Sequence, residues 1–86
     1  MSISTITVTI KLFAAYQEAC GASDLKLELP TGTRVEAVRD RLIAAHPQLA
    51  QWQDLTRFGV NLQFVPPETI LQSGDEVVLI PPVSGG

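Results

Sequence analysis

Thr5-Ile6-Thr7-Val8-Thr9-Ile10-Lys11-Leu12 alternates polar and apolar residues without a break. Side chains on a strand point to opposite faces in turn. Ile6, Val8, Ile10 and Leu12 therefore share one face, and Thr5, Thr7, Thr9 and Lys11 share the other. One apolar and one polar face is the pattern of a sheet covered on one side. The threonines add to it, because β-branched side chains fit a pleated surface. Such a strand needs a second layer to bury its apolar face, and the residues around it supply one.

At the N-terminus, Met1-Ser2-Ile3-Ser4-Thr5 lacks the basic start and long apolar stretch of a signal peptide, which predicts a cytoplasmic chain. Downstream, Ala14 to Cys20 is alanine-rich and closed by Gly21, a short helical turn with a glycine cap. Leu25, Leu27 and Leu29 alternate with Lys26 and Glu28 as a second strand. Pro30-Thr31-Gly32 breaks it. Thr33-Arg34-Val35-Glu36 then fits a capping box, with Thr33 as the N-cap. Val35, Val38, Leu42 and Ala45 follow at helical spacing and mark the main helix. Pro47 stops it near His46. Leu49 to Leu55 predicts another short helix, anchored in the core by Trp52.

Phe58-Gly59-Val60-Asn61 reads as a strand entering a turn, with Phe64-Val65 as its return and Pro66-Pro67 as its end. Ile70 and Leu71 are expected in the core. Gln72-Ser73-Gly74-Asp75 is a turn by composition. Glu76 to Ile80 is the last strand. Its unbroken run Val77-Val78-Leu79-Ile80 implies cover on both faces, or one face kept for a partner. The order of elements predicts an α+β roll, a mixed sheet packed on one main helix. The pattern allows the last strand to lie beside the first without forcing it.

At 86 residues the chain has material for one domain, residues 1–80, followed by a tail, residues 81–86. A hydrophobic content of 45% separates it from disordered chains. No apolar run approaches the ~20 residues of a membrane span. The net charge is −3, and the six basic residues are scattered, which argues against nucleic-acid binding. An acidic surface suits a protein partner.

Catalysis by the chain alone needs converging acids, bases, nucleophiles or metal ligands. His46 is the only histidine and stands beside a proline. Cys20 is the only cysteine and has no neighbour with which to build a metal site. Asp75 and Glu76 are adjacent, so a strand would send them to opposite faces. No glycine cluster is followed by the lysine of a phosphate loop. The expectation is no metal and no bound cofactor.

Chemistry is concentrated instead in Pro81-Pro82-Val83-Ser84-Gly85-Gly86. The α-carboxyl of Gly86 has an ordinary pKa of about 3.3–3.7, so it is ionised and unreactive at neutral pH. It needs activation by another protein. Pro81-Pro82 favours an extended, low-entropy segment. Six extended residues reach roughly 20 Å. Gly85 and Gly86 let the main chain pass a constriction that a Cβ would block, while Val83 and Ser84 are placed to fix register. The alternative is an inert tail.

The block Ser73-Gly74-Asp75-Glu76-Val77-Val78-Leu79-Ile80-Pro81-Pro82-Val83-Ser84-Gly85-Gly86 resembles the end of the small, sulfur-carrying subunit of molybdopterin synthase, the MoaD family. Leu12-Phe13-Ala14 with Glu18-Ala19-Cys20-Gly21 is similar to that family's first strand-to-helix junction. Thr33 to Glu36 and Val60-Asn61 fall at its helix start and central hairpin. The resemblance implies a β-grasp, ubiquitin-like fold and a cytoplasmic heterotetramer with a large, MoaE-like subunit. It also implies that a MoeB-like adenylating enzyme uses ATP to convert the Gly86 carboxylate to an acyl-adenylate. A sulfur donor such as a cysteine desulfurase or rhodanese then leaves a thiocarboxylate. The tail, Pro81, Pro82, Val83, Ser84 and Gly85 included, enters the large subunit and delivers sulfur to a pyranopterin precursor, forming the molybdopterin dithiolene. Thiamine-pathway carriers, the tRNA-thiolation modifier and ubiquitin-like protein modifiers share the fold and the Gly-Gly end, and stand as alternatives. Phe13, Leu62, Val78 and Ile80 are expected at the partner interface because they are apolar and near the partner-facing sheet. For Leu62, in a turn where polar residues are usual, a folded-back core position is the competing expectation.

Overall fold

The computed structural model describes residues 4–82. The alternating stretch forms β1 (Thr5–Leu12), with Ile6, Val8, Ile10 and Leu12 all buried. It is followed by α1 (Ala14–Cys20), β2 (Asp24–Pro30), α2 (Val35–Ala45), a 3-10 helix (Pro47–Leu55), β3 (Arg57–Val60), β4 (Gln63–Val65) and β5 (Glu76–Ile80). The five strands make one mixed sheet in the order β2-β1-β5-β3-β4. β1 runs parallel to β5 and antiparallel to β2, and β3 runs antiparallel to both β5 and β4. The last strand thus lies at the centre, beside the first, and leads the chain out of the middle of the sheet.

The helices cover one face only. Val35, Val38 and Leu42 of α2, Tyr16 of α1 and Leu49 of the 3-10 helix are buried with Leu29, Phe58, Leu71, Val77 and Leu79. Gly21 ends α1 in the left-handed region at φ 69, and its N–H donates to the Gln17 carbonyl, as the glycine cap predicts.

Several local expectations are corrected. The capping box does not form. Arg34 is the N-cap of α2, and the Thr33 hydroxyl donates instead to the Pro30 carbonyl at 2.6 Å. The free N–H groups of the first turn are satisfied from elsewhere in the chain. Val35 donates to the Thr69 carbonyl at 2.8 Å and Glu36 to the Pro67 carbonyl at 3.1 Å. A backbone carbonyl serves an orphan N–H as well as a side-chain cap does. Ala45, expected on the buried stripe, is exposed as the last residue of α2. Leu49, not Trp52, is the buried anchor of the 3-10 helix; Trp52 is half-buried against the core edge. Leu71 is buried as expected but Ile70 is exposed, because the backbone there bridges to Arg34 in extended form and adjacent side chains diverge.

A buried polar chain ties three elements together. The Thr56 hydroxyl donates to the Trp52 carbonyl at 2.8 Å, so at 2.6 Å it accepts from the Tyr16 hydroxyl. Tyr16 is fully buried, and burial raises its pKa above 10.0 despite the Thr56 hydrogen bond and the nearby Arg39 charge. Replacing Thr56 by Val leaves the Tyr16 hydroxyl buried without a partner and is expected to cost about 1–3 kcal/mol. Tyr16→Phe keeps the Thr56–Trp52 bond and costs about 1 kcal/mol. In urea unfolding, Thr56→Val has the lower midpoint, and the double variant loses less than the sum of the two. Arg39 completes the packing, with its guanidinium 5.4 Å from the Phe58 ring centre, 2.9 Å from Asp40 and bonded to the Gln53 carbonyl.

Candidate functional site

The face of the sheet opposite the helices is open, and its composition changes across its width. Alternation along β5 buries Val77 and Leu79 and turns Val78 and Ile80 to the open side, where both are half-buried. The register sets Val78 between Lys11 of β1 and Gly59 of β3, and Gly59 opposite Phe64 of β4. On the other side of Lys11 lies Asp24, its salt-bridge partner at 3.5 Å. The row across the sheet is therefore Phe64, Gly59, Val78, Lys11, Asp24: apolar at the β3–β4 end, charged at the β2 end.

Gly59 leaves the space beside Phe64 and Val78 unfilled. A cavity of about 190 Å³ opens there, lined by Gly59, Leu62, Gln63, Phe64, Val78 and Ile80. Phe64 is 75% and Leu62 90% exposed. Leu62 is placed by the hairpin turn, in which Asn61 and Leu62 have φ of 51° and 71°. Two positive φ values in a two-residue loop are the mark of a type I′ hairpin, whose twist matches the strands it joins. Asn tolerates that conformation; leucine does so at a cost of about 1–2 kcal/mol.

Polar contacts hold the turn against the start of β5. Asn61 Nδ2 donates to Asp75 Oδ1 at 2.9 Å, and Asn61 Oδ1 accepts from the Glu76 N–H at 3.0 Å. The Asn61 N–H donates to the Glu76 carbonyl, and Asp75 Oδ2 accepts from the Gln72 N–H. Asp75 thus shapes the turn and carries no free catalytic carboxylate geometry. Cys20 is half-buried, and burial raises its pKa, which keeps the thiol protonated. Among the described residues no three His, Cys, Asp or Glu side chains converge as a metal site, and no helix is long and apolar enough to cross a membrane.

Beyond Ile80 the chain passes Pro81, which is buried, and Pro82, which is half-buried. Pro81, expected as the first residue of the tail, packs with the body. Val83, Ser84, Gly85 and Gly86 lie outside the described residues. A second cavity, about 430 Å³, surrounds the tail root and is lined by Leu55, Arg57, Ile80, Pro81 and Pro82. Ile80 lines both cavities, so the apolar face and the root of the tail are continuous.

Of the four expected interface residues, Leu62, Val78 and Ile80 meet in one patch. Leu62 is exposed, not folded back. Phe13 is 51% exposed and stands one residue past the Leu12–Leu79 register pair, at the Ile80 side of the patch without lining its cavity. Sequence reasoning missed Phe64 and Leu55, both exposed. The signal for Phe64 is its alternation with Val65, the residue that pairs with buried Phe58. For Leu55 the sequence holds no such signal, because a 3-10 helix has no long periodicity to read.

Residues 10–86 match the model of the ThiS family. The molybdopterin synthase sulfur carrier subunit of Chlamydomonas reinhardtii is 36% identical over 81 residues, covering 92% of this chain and 98% of that protein. Its counterpart in Arabidopsis thaliana is 31% identical over 83 residues, covering 96% and 86%. In three dimensions the chain is similar to SAMP1 from Haloferax volcanii, with a TM-score of 0.77 and 28% identity over 93% of this chain and 99% of that one. The open-faced sheet with a central last strand is a β-grasp fold, and the chain belongs to the ThiS family, with molybdopterin synthase sulfur carrier subunits among its relatives.

Proposed function

We propose that the Gly86 carboxylate carries sulfur for molybdopterin synthesis, and that the open sheet face docks the proteins that load and unload it. The supporting observation is continuity: Leu62, Phe64, Val78 and Ile80 form an apolar patch that leads through Pro81 and Pro82 into the Gly-Gly end. An apolar patch of this kind beside a reactive terminus suits transient docking.

In this reading a MoeB-like adenylating enzyme consumes ATP in the cytoplasm. The carboxylate oxygen attacks the α-phosphorus and pyrophosphate leaves. A persulfide-bearing donor, a cysteine desulfurase or rhodanese, then attacks the acyl carbon and AMP leaves. Reductive cleavage of the resulting disulfide bond by a thiol frees the thiocarboxylate. A MoaE-like large subunit, in a heterotetramer, accepts the tail and passes the sulfur to a pyranopterin precursor. Two loaded carriers supply the two sulfurs of one dithiolene. This chain contributes docking and reach and no bound cofactor. From Pro82 on, five extended residues span about 16 Å, enough to cross an active-site mouth.

Incubation with ATP, the activating enzyme and the sulfur donor is expected to raise the intact mass by about 16 Da, the difference between sulfur and oxygen. The loaded chain then returns to its original mass on turnover with the large subunit and precursor. A chain that never gains this mass under ATP-dependent activation is not a sulfur carrier. The likeness to SAMP1, described as a small archaeal modifier protein, supports a second reading as a protein modifier. Lysine-linked conjugates of Gly86 in cells, with molybdopterin unaffected by loss of the chain, would select that reading. Loss of thiamine or of thiolated tRNA instead would assign the carrier to those pathways.

A further inference from the structure

The geometry points to Arg57 as an electrostatic latch at the root of the tail, one that pairs with a carboxylate on the rim of the activating enzyme's tail-binding site. Arg57 is exposed on β3 and pairs in register with Ile80, the last residue of β5. It lines the tail-root cavity with Leu55, Pro81 and Pro82. Among the described residues Lys11, Arg34 and Arg39 each have a carboxylate partner, at 3.5, 3.9 and 2.9 Å, and Arg41 bonds the Glu28 carbonyl. Arg57 makes no ion pair or side-chain hydrogen bond among these residues. Lys26 makes none either, but it sits on β2, at the edge of the sheet away from the tail. Among the described residues Arg57 is thus a cation without a partner, at the tail root of a chain of net charge −3 and beside exposed apolar surface.

A guanidinium so placed matches a carboxylate flanked by apolar side chains. The occupant is assigned from the state of the tail. Before loading, the chain carries a positive charge at its root and the negative Gly86 carboxylate within about 16 Å of Pro82. A site that reads both charges has an acid at its mouth and a base inside. The enzyme that meets the tail as a free carboxylate is the activating enzyme. A rim pair of this kind acts mainly on encounter and register, with little effect on the chemical step. The inference rests on the sulfur-carrier reading above.

The test measures ATP-dependent loading of the full-length chain by intact mass, over a range of carrier concentrations, at about 50 mM and about 300 mM salt. Arg57→Glu is expected to raise KM for the carrier about tenfold with kcat unchanged, while Arg57→Lys stays within about twofold of wild type. Wild-type KM rises with salt and that of Arg57→Glu does not. Wild-type KM for Arg57→Glu overturns the latch, as does an equal KM increase for Glu and Lys variants with lowered unfolding midpoints, which is a structural effect. If the wild-type chain itself gains no mass, the sulfur-carrier reading has failed and the latch falls with it. If the wild type loads and Arg57→Glu loads equally well, only the latch fails.

Discussion

A chain lacking Gly86, or carrying one residue beyond it, is expected to lose at least a hundredfold in loading rate while keeping its unfolding midpoint. The physical reason is position. One residue moves the terminal carboxylate by about 3.3 Å along the tail. A displacement of about 1 Å in a positioned reactant already costs on the order of a hundredfold. Nothing in the helix-packed face or the sheet register changes, because Gly86 lies well past Ile80, where the sheet ends. Gly85→Val tests the second element of the same idea. A β-branched side chain there narrows the conformations open to the tail and adds a Cβ where the main chain is expected to pass a constriction. Rapid-quench loading followed by intact mass, with thermal unfolding of each variant alongside, separates the two effects. Wild-type loading by the extended chain would show that the terminus is not the reacting group.

Leu62→Gly is expected to stabilise the chain and weaken its partner, effects of opposite sign from a single change. Leu62 sits at φ 71°, and leucine in the left-handed region costs about 1–2 kcal/mol. Asn followed by Gly is the preferred pair of a type I′ turn, so a glycine after Asn61 relieves that cost. Part of the gain is returned through the greater freedom of glycine in the unfolded chain, about 0.5–1 kcal/mol. The net is about 0.5–1 kcal/mol, a rise in Tm of roughly 3–6 °C for a domain of this size. At 90% exposure Leu62 gives its own fold almost nothing in burial. Buried in a complex, a leucine is worth about 1.5–3 kcal/mol, so the variant loses roughly ten- to a hundredfold in affinity for the large subunit. Calorimetry and titration on the same two proteins read both numbers. A fall in Tm would remove the strain argument, and unchanged affinity would remove Leu62 from the interface. Phe64→Ala is the companion: its exposed ring contributes little to the core, so binding falls with Tm nearly constant.

These two results address different parts of the molecule, and the parts were legible to different degrees. The period-two pattern of Thr5–Leu12 needs only local geometry, and it predicted the inward and outward faces of β1 residue by residue. The Gly21 cap and the turn at Gly74 were equally local, since a left-handed position selects glycine whatever surrounds it. The helix start at Thr33 was misread for the complementary reason. The motif was present, but the carbonyls of Pro67 and Thr69, far along the chain, reached the same N–H groups. Ile70 and Leu71 show the same limit. Both are apolar, and only the bridge to Arg34 decides which one turns inward.

Within the candidate site, Val78 and Ile80 could be named in advance as apolar residues of the partner-facing sheet and Leu62 as an apolar residue in a turn, yet their convergence with Phe64 could not. That convergence depends on β3 pairing with both β5 and β4, and on Gly59 standing between Val78 and Phe64. Arg57 carried no signal in the sequence, because a lone arginine in a strand reads as solvated surface. Its significance comes from the cross-strand neighbour Ile80 and from the pairing of other cations.

From its order of residues alone, this chain had one sheet with a single apolar face, one main helix to cover it, and a small-residue terminus needing outside activation. Those properties follow from periodicity and from the pKa of a carboxylate, which act over a few residues. The tertiary structure decided the rest: β5 at the centre beside β1, a buried Pro81 where the chain leaves the sheet, and an apolar-to-charged gradient across the open face. These depend on which distant strands share hydrogen bonds, and that is settled by the packing of the whole core, to which no short segment holds the key.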